Sequence, residues 1–456
     1  MYEETIVAIS TPLGTGGISI IRISGAKAIE SIDQIFKSPK KNFTLKEVPS
    51  HTIHHGYILD HKSDILDEVL VSVFKKPHSF TGEDVIEVHG HGGILITQLL
   101  LERILSLNIR IAEPGEFSKK AFLNGKIDLI QAESIMDLIH AQNEHAVKLS
   151  HLGLQKKTSE LIENLSKDIL SLISKIEVNI DYPEYEDIQM MTNDIILPEV
   201  HRLIKSMQDI LDHSVTTRFL KEGIKTLIIG KPNVGKSSLL NAILDEKRAI
   251  VSDIAGTTRD FLDVHVNIKG ISLNLIDTAG IRETDDPLEK MGVLLSKKFF
   301  KEAELVLLLL DQSRPLSQED KELLETTKNH PRILIGSKSD LPSEMNFSFL
   351  EEEIVFISNI TKEGIEQLKD KILKIFQLDL IEEKNFNYLS NSRHIQQMKN
   401  ALQALKNVII DIDQQIPIDI HIISLKEAYV ALGSIVGNNI NETLMDELFS
   451  NFCLGK

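Results

Sequence analysis

Cysteine is nearly absent from this sequence. Its 456 residues include one cysteine, Cys453, which excludes an internal disulfide framework and indicates a reducing compartment. Long apolar runs are also missing: the longest, Leu305–Leu310, has the length of a strand, whereas a membrane-spanning helix needs about 18 or more apolar residues. The N-terminus has neither the basic nor the apolar region of a signal peptide. These absences predict a soluble, cytoplasmic protein without a membrane segment.

Basic residues are outnumbered. Lys and Arg total 50 against 67 Asp and Glu, which gives a formal net charge of −17 and a pI near 5.4. This balance argues against a protein whose whole surface binds nucleic acid, but it does not argue against a local basic patch. The length, 456 residues, exceeds what one core supports, so about two to four domains are expected.

The most informative stretch is a glycine-rich loop between an apolar strand and a helix. Thr226–Ile229 is typical of a buried strand, and the pattern G-x-x-x-x-G-K-S then runs from Gly230 to Ser237. This strand–loop–helix context is that of a phosphate-binding P-loop, in which backbone N–H groups converge on an anion at a helix N-terminus. Lys236 would reach the β- and γ-phosphates, and the hydroxyl of Ser237 would hold Mg²⁺. The alternative is a plain Gly/Pro turn.

Further motifs follow at the spacing of a G domain. Asp253–Asp260 is a polar loop of the switch type, in which Thr258 is a candidate second magnesium ligand. A strand, Leu273–Ile276, leads to Asp277–Gly280, where Asp277 would approach Mg²⁺ and Gly280 would offer its N–H to the γ-phosphate. The uniformly apolar Leu305–Leu310 is predicted as a central parallel strand.

Two loops near the end of this region predict recognition of guanine. Arg332–Ile335 is a strand followed by Gly-Ser-Lys-Ser-Asp, whose Asp340 can accept hydrogen bonds from guanine N1–H and the N2 amino group. Val355–Ile357 leads to Ser358 and Asn359, a candidate base-contacting loop. The Lys338 stem would lie along the base plane. Adenine lacks this donor pair, so Asp340 favours GTP over ATP.

The guanine loops depart from the common pattern at two positions. Ser337 replaces the usual Asn, and Asn359 stands where Ala is common. The shorter Ser337 side chain is expected to weaken the bracing of the P-loop. In addition, Ile281 occupies the position of the glutamine with which many GTPases orient the attacking water. Either hydrolysis is slow or another group positions the water; the acidic candidates, which a solvated loop would also explain, are Glu283, Asp285, Asp286 and Glu289.

Residues 1 to about 120 are predicted to form a small α+β or α/β domain with a mostly β core. Predicted strands are Thr5–Ser10, Ile18–Ile23, Leu66–Phe74 and Asp84–His89, with helices from Gly25 to about Phe36 and from Gly93 to Leu105. Gly14–Gly17 lacks the spacing of a dinucleotide site and favours a tight turn. His89 and His91 have no third ligand nearby, so a metal site is not favoured.

Helical periodicity dominates two further segments. From Phe122, apolar residues recur every three or four positions up to Pro183, and a second helix is expected from near Pro198 to about His213. After the G motifs, Arg393–Val408 and Ile422–Val436 are predicted helices with Gly433 and Gly437 as breaks, before a last helix over 443–449. We interpret these segments as scaffold.

The motifs together resemble the family of the tRNA modification GTPase MnmE (TrmE). Four stretches carry the resemblance outside the P-loop: T-P-x-G-x-G-G-I-x-I-x-R-I-S-G at 11–25, S-F-T-G-E-D-V-I-E at 79–87, P-G-E-F-S-x-x-A-F-L-N-G-K at 114–126 and the terminal F-C-L-G-K at 452–456. In the G region the D-I-A-G-T-T-R-D and D-T-A-G-I-R motifs match as well. The resemblance covers the whole chain.

The resemblance implies a three-part architecture. A folate-binding-like α+β N-terminal domain (1–120) that forms a homodimer would precede a discontinuous helical domain (121–220 and 380–456), into which a Ras-like P-loop G domain (221–379) is inserted. The two helical segments would pack together.

The resemblance also implies ligand sites. A 5-formyl- or methylene-tetrahydrofolate would contact Arg22, Glu87 and Lys126, with Lys456 closing over it, so that the last residues are ordered. Glu289 and Lys236 would be catalytic, Glu289 by orienting water. Mg²⁺ would bind Ser237 and Thr258, and K⁺, which promotes pairing of G domains, would bind Asn233, Ser252, Ile254 and Thr257. The implied nucleotide contacts are Asn233, Val234, Gly235, Lys236, Ser237, Ser238, Ser252, Asp253, Ile254, Ala255, Gly256, Thr257, Thr258, Asp277, Thr278, Ala279, Gly280, Ser337, Lys338, Asp340, Ser358 and Asn359.

The partners implied by the resemblance are tRNA and a flavin-dependent protein of the GidA (MnmG) type that carries FAD. Together the proteins would add an aminomethyl or carboxymethylaminomethyl group to the wobble uridine of certain tRNAs. Cys453 could act in that chemistry or be a small buried residue. Two alternatives stay open: a ribosome-assembly GTPase switch, which needs neither the folate-type domain nor the F-C-L-G-K end, and a folate-dependent transferase with a vestigial G domain.

Overall fold

We describe the fold from a computed structural model. It describes residues 4–182, 192–244, 264–276, 300, 302–347, 350, 352–376, 389–438 and 440–456. Within these residues the chain forms two compact units. The first comprises Met1–Met136, Gly153–Asp168 and Tyr429–Lys456, and the second comprises Asp137–Leu152 and Ile169–Ala428. The domain boundaries expected near residues 120, 220 and 379 stay predictions.

The described helices and strands follow one another in a fixed order. Up to residue 123 they are β1 (Ile6–Ile9), β2 (Ile18–Ser24), α1 (Ala28–Ile35), β3 (Phe36–Lys37), β4 (Thr52–Leu59), β5 (Ile65–Phe74), β6 (Val85–His91), α2 (Ile94–Leu105), β7 (Arg110–Ile111) and α3 (Glu116–Leu123). Then come α4 (Leu129–His140), α5 (Glu144–Leu154), α6 (Lys157–Asp181), α7 (Asn193–Glu222), β8 (Ile224–Ile229), α8 (Lys236–Leu244), β9 (Val264–Ile268), β10 (Ile271–Ile276) and β11 (Leu305–Asp311). The last are α9 (Gln318–Thr326), β12 (Arg332–Ser337), β13 (Ile354–Ile357), α10 (Ile365–Ile375), α11 (Ser392–Asp413), α12 (Ile418–Val436) and α13 (Glu442–Ser450).

A seven-stranded sheet organises the first unit. Its strand order is β3-β4-β5-β6-β2-β1-β7, and the described pairs are antiparallel except β1 with β7. Alternate residues such as Ile21, Ile23, Ile86 and Val88 face one side, where they form a core with apolar residues of α1 and α2. The residues that alternate with these along the strands include Arg22 and Glu87. They lie side by side because they are direct partners on the neighbouring strands β2 and β6.

A six-stranded sheet organises the nucleotide part of the second unit. Its order is β13-β12-β11-β8-β10-β9, parallel throughout except for β9. β11 is buried at every position, which confirms the central strand predicted from its apolar run, because strands covered on both faces need no polar alternation. The carboxyl ends of β8, β11, β12 and β13 therefore lie along one edge of the sheet, where ligands of such folds bind.

The helical scaffold contains two departures from the sequence predictions. The helix expected from near Pro198 to His213 begins at Asn193 and continues to Glu222, since its buried apolar face extends to Leu220. Gly433, predicted as a break, lies inside α12. Gly437, with a φ of +103°, follows the end of the helix.

The sheet of the first unit contains a strand, β4, that the sequence analysis did not predict.

The helical segments on either side of the nucleotide part meet in the second unit. The backbone N–H of Leu389 donates to Ser214 Oγ at 2.7 Å, and Ser392 Oγ donates to Glu222 at 3.2 Å. Both acceptors belong to α7. Among the helices that the structure describes, none is long and apolar enough to cross a membrane.

Candidate nucleotide site and C-terminal site

The P-loop has the predicted strand–loop–helix form. The Cβ of any larger residue at Gly230 would lie 2.7 Å from Leu309 O, and Gly235 has a φ of +103°, so the loop needs glycine at both positions. The Lys236 side chain turns back over its own loop, where Nζ donates to Gly230 O at 2.8 Å and Lys231 O at 2.9 Å. These bonds place the ammonium group against the backbone that would surround a phosphate.

The other predicted loop residues are arranged around this turn. Asn233 is exposed with a φ of +62°, whereas Val234 is buried and anchors the loop in the core. Ser237 is half-buried and Ser238 is exposed, both in the first turn of α8. The hydroxyl of Ser237 is thus at a helix N-terminus, where the backbone favours anions such as phosphate.

Lys231 is fixed by groups that the sequence analysis did not select. Its Nζ lies 2.8 Å from Asp320 Oδ2 and 2.9 Å from Ser317 Oγ. Ser317 and Asp320 form the capping box at the start of α9. Burial would raise the pKa of Asp320, but hydrogen bonds from Lys231 and Ser317 outweigh it and hold the pKa below its ordinary value. The S-x-x-D pattern before α9 is the signal that could have revealed this anchor.

Lys338 is held by a carboxylate, Asp311, that was also missed. Lys338 has a φ of +60°, and its Nζ donates to Asp311 Oδ2 at 2.6 Å. Burial alone would raise the pKa of Asp311, but hydrogen bonds from Lys338 and Ser313 keep it below its usual value. Asp311 is the last residue of β11 and follows its apolar run, and a charged residue at the carboxyl end of a buried strand was the available signal.

Asp340 and Ser358, which the sequence analysis assigned to two separate base-contacting loops, are joined by a hydrogen bond. The Ser358 hydroxyl donates to Asp340 Oδ1 at 2.7 Å and accepts from the N–H groups of Ile360 and Thr361 at 3.3 and 3.2 Å. Ser358 is fully buried, whereas Asp340 is exposed. The buried hydroxyl therefore orients a carboxylate that is accessible to a base.

The two unusual residues of these loops bind backbone carbonyls. Ser337 is buried, and its hydroxyl donates to Leu310 O at 3.2 Å. Asn359 Nδ2 donates to Gly235 O at 3.3 Å, which links the last loop to the P-loop. The remaining predicted nucleotide, metal and catalytic residues lie outside the described residues: Ser252, Asp253, Ile254, Ala255, Gly256, Thr257, Thr258, Asp277, Thr278, Ala279, Gly280 and Glu289.

In the first unit, Arg22 and Glu87 form an ion pair in the middle of the sheet. Arg22 Nη2 and Nε lie 2.8 and 2.9 Å from Glu87 Oε1. The neighbouring His89 ring and the charge of Arg22 hold the pKa of Glu87 below its usual range. The Arg22 guanidinium also lies 5.7 Å from the ring centre of Phe80 and 5.9 Å from that of Phe117. The site thus combines paired charges with two aromatic rings near the guanidinium, of which Phe117 is fully buried.

The C-terminal residues dock beside this pair. Gly455 O accepts from Arg22 Nη1 at 3.1 Å and from the Ser10 hydroxyl at 3.2 Å. Gly455 has a φ of +87°, and a Cβ there would lie 2.5 Å from Ile9 O. Burial lowers the pKa of Lys456, and the nearby charge of Arg22 lowers it further.

Two other predicted groups lie around the same unit. Cys453 is partly buried beside the apolar cluster of Phe449 and Phe452. Lys126, in the loop after α3, is exposed and its Nζ donates to Pro77 O at 3.0 Å. The structure gives no direct contact between Lys126 and Arg22 among the described residues.

Comparisons with known proteins cover the whole chain. A family model described as the MnmE helical domain matches residues 129–453, and one described as the GTP-binding protein TrmE N-terminus matches residues 5–126. The tRNA modification GTPase MnmE of Aster yellows witches'-broom phytoplasma is 57% identical over 464 residues, covering 100% of both chains. The protein of the same name from Bacillus subtilis is 45% identical over 459 residues, covering 99% of this chain and 100% of that one. A solved structure, the G domain of the T. maritima FeoB iron transporter, is 28% identical, covers 33% of this chain and 98% of that chain, and has a TM-score of 0.26.

Proposed function

Because this chain belongs to the MnmE family of tRNA modification GTPases, we propose that it is a potassium-stimulated GTP hydrolase that modifies the wobble uridine of certain tRNAs. It acts as a homodimer with a flavin-dependent partner of the GidA (MnmG) type. The product is a carboxymethylaminomethyl or aminomethyl group on the uridine. The observation that supports the nucleotide part is a pair of hydrogen bonds at one edge of the sheet: Ser358 holds Asp340, and its neighbour Asn359 binds Gly235 O of the P-loop.

Nucleotide binding divides between two ends of the site. Asp340 accepts from the guanine N1–H and N2 amino groups, while the Ser358 hydroxyl fixes its orientation. Lys236 places positive charge at the β- and γ-phosphates, where negative charge develops during transfer to water. Ser237 presents the hard hydroxyl oxygen that Mg²⁺ prefers. Thr258 is its second proposed ligand, and Glu289 is proposed to orient the attacking water.

The cation part of the proposal concerns the loop surface. Asn233 is exposed at the turn of the P-loop, so its amide oxygen is accessible to K⁺, and Ser252, Ile254 and Thr257 would complete the site. When bound, the metal ions supply positive charge next to the phosphates, as an arginine finger does in other GTPases. The chain itself orients the phosphates and the base.

The folate part of the proposal rests on the Arg22–Glu87 pair. A pterin ring is flat and carries adjacent hydrogen-bond donors and acceptors, which match a carboxylate and a guanidinium flanked by Phe80 and Phe117. Lys456 directly follows Gly455, whose carbonyl oxygen accepts from Arg22, so Lys456 can cover the ligand, and Lys126 is the fourth proposed contact. Methylene-tetrahydrofolate would supply the one-carbon unit.

Turnover in different salts tests the proposed function. We expect GTP hydrolysis in potassium chloride to exceed hydrolysis in sodium chloride of equal concentration by at least about tenfold, since the cation contributes charge to the transition state. ATP should be hydrolysed negligibly in both salts. Adding the flavoprotein, FAD, folate and tRNA should then yield modified wobble uridine, detected by mass spectrometry of digested tRNA.

Two outcomes of that experiment would contradict the proposal. Equal binding of ATP and GTP by the purified chain would remove the guanine assignment. Potassium-dependent GTP turnover without any uridine modification in the complete mixture would favour the ribosome-assembly type of switch instead.

Substitution of Gly455 tests the C-terminal contribution to the folate site. In Gly455→Ala, the new Cβ would lie 2.5 Å from Ile9 O at a φ of +87°, a backbone region that costs about 1–2 kcal/mol for non-glycine residues. We expect the last residues to leave β1, and the affinity for 5-formyl-tetrahydrofolate, measured by calorimetry, to fall about tenfold.

The control for that variant is Ser450→Ala, which changes an exposed residue at the end of α13. It should bind folate like the unmodified chain, and both variants should keep potassium-stimulated GTP turnover. Unchanged folate affinity in Gly455→Ala would separate the C-terminal segment from the site.

A further inference from the structure

The two unusual residues of the guanine loops differ in what their side chains can reach. In the common pattern an asparagine at position 337 would be long enough to brace the P-loop. Here Ser337 is fully buried, and its short side chain donates to Leu310 O of the neighbouring strand β11. Its hydroxyl is therefore used within the sheet.

Asn359 makes the contact with the P-loop. Its Nδ2 donates to Gly235 O at 3.3 Å. A Cβ added to Gly235 would lie 3.2 Å from the same nitrogen, so the amide packs closely against the loop backbone. An alanine at position 359 has no group that could make this bond.

The topology shows why this contact matters. Gly235 follows β8 and Asn359 follows β13, and two strands, β11 and β12, lie between them in the sheet. Neighbouring strands are about 4.8 Å apart, so the phosphate loop and the base loop belong to distant strands. A side chain that bridges them fixes the distance between the two ends of a nucleotide site.

We infer that Asn359 is a positioning residue that replaces the missing asparagine at position 337 and holds the P-loop to the guanine loops. The inference rests on the proposed function, since it concerns the same nucleotide. The two departures from the common sequence thus compensate each other. Asn359 acts through Gly235 and the loop backbone, whereas Asp340 reads the base.

The remaining amide atom of Asn359 agrees with a bracing role. Asn359 Oδ1 is buried, and within the described parts of the chain it accepts no hydrogen bond. An amide that is held by one bond and enclosed on its other side depends on that bond for its orientation. Loss of the Nδ2 donor is therefore expected to release the loop.

The test uses GDP and IDP, because IDP lacks the N2 amino group that Asp340 recognises. Affinities are measured by calorimetry with Mg²⁺ present, for the unmodified chain and for Asn359→Ala and Asn359→Asp. We expect each substitution to lower the affinity for both nucleotides by the same factor, about fivefold to tenfold, which corresponds to the loss of one hydrogen bond. Asn359→Asp keeps the shape but sets a carboxylate against Gly235 O, so its loss should be at least as large.

Two further variants complete the experiment. Asn329→Ala is a matched control, because it removes an exposed asparagine beyond α9, and it should leave both affinities unchanged. Ser337→Asn in the Asn359→Ala background should restore most of the lost affinity, since the longer asparagine side chain can again make a hydrogen bond to the P-loop. Chemical unfolding of the nucleotide-free variants verifies that each chain is folded.

Three results would overturn the inference. In the first, Asn359→Ala would bind both nucleotides as tightly as Asn329→Ala does. In the second, Asn359→Ala would bind GDP more weakly but IDP with unchanged affinity, which would mean that Asn359 recognises the base itself. In the third, the folded double variant would bind no better than Asn359→Ala alone. Failure of the proposed function looks different, since the unmodified chain would then not prefer GDP to ADP.

Discussion

Replacing Lys236 with alanine is expected to lower kcat/KM for GTP by at least about a thousandfold. The Lys236 ammonium group lies 2.8–2.9 Å from two carbonyl oxygens of its own loop, so its charge is fixed before the nucleotide binds. Preorganised charge at the site of developing negative charge commonly contributes on the order of a thousandfold to turnover. Alanine removes this charge, and water in the vacated space supplies no fixed positive charge in its place.

Lys225→Ala is the matched control for this prediction. Lys225 lies in β8, the strand before the loop, and its side chain is exposed. The turnover of Lys225→Ala should therefore stay within about twofold of the unmodified chain. Single-turnover kinetics with radiolabelled GTP measures both variants. Retention of more than a tenth of the turnover by Lys236→Ala would show that the P-loop is not the catalytic centre. It would support the alternative of a folate-dependent transferase with a vestigial G domain.

Local sequence rules were sufficient for the parts of the nucleotide site that depend on neighbouring residues. The P-loop is one strand, one turn and one helix, and glycine at 230 and 235 is required by the backbone itself. The apolar run Leu305–Leu310 of β11 could be predicted as a strand because burial on both faces leaves no room for polar alternation. In each case residues within about ten positions determine the conformation.

Contacts between distant residues could not be predicted in this way. The Lys338–Asp311 pair spans 27 positions, and the Asn359–Gly235 bond spans 124. Both depend on the order of strands in the sheet, which a local pattern does not reveal. Strand β4 was missed for a different reason: His54, His55 and Gly56 interrupt its apolar alternation, and its place is set by pairing with β5.

The C-terminal site shows the same limit. The resemblance selected Arg22, Glu87 and Lys456, but the contact of Gly455 O with Arg22 joins residues 433 positions apart. The aromatic partners of Arg22 were also missed, although Phe80 and Phe117 lie in motifs already used for the resemblance. A cation near two rings is a three-dimensional arrangement, and a motif gives only its separate pieces.

Replacing Asp340 with asparagine is expected to reverse the choice of base. The Ser358 hydroxyl donates to Asp340 Oδ1 at 2.7 Å, and an amide oxygen at that position can accept the same bond, so the amide nitrogen of the substituted side chain would face the base. That nitrogen donates, whereas guanine presents its own donating amino group. Xanthine has a carbonyl oxygen in place of that amino group and keeps N1–H, so it pairs with the amide.

We therefore expect Asp340→Asn to bind GTP about a hundredfold more weakly, which corresponds to the loss of charged hydrogen bonds of roughly 2–3 kcal/mol, and to prefer XTP. Asp370→Asn is the control, because Asp370 is an exposed residue of α10 whose ion pair with Lys269 is at the surface and contributes little. Competition binding with GTP and XTP measures both variants. If Asp340→Asn still preferred GTP, the base would have to be read elsewhere, and the proposed pairing of Asp340 with guanine would be wrong.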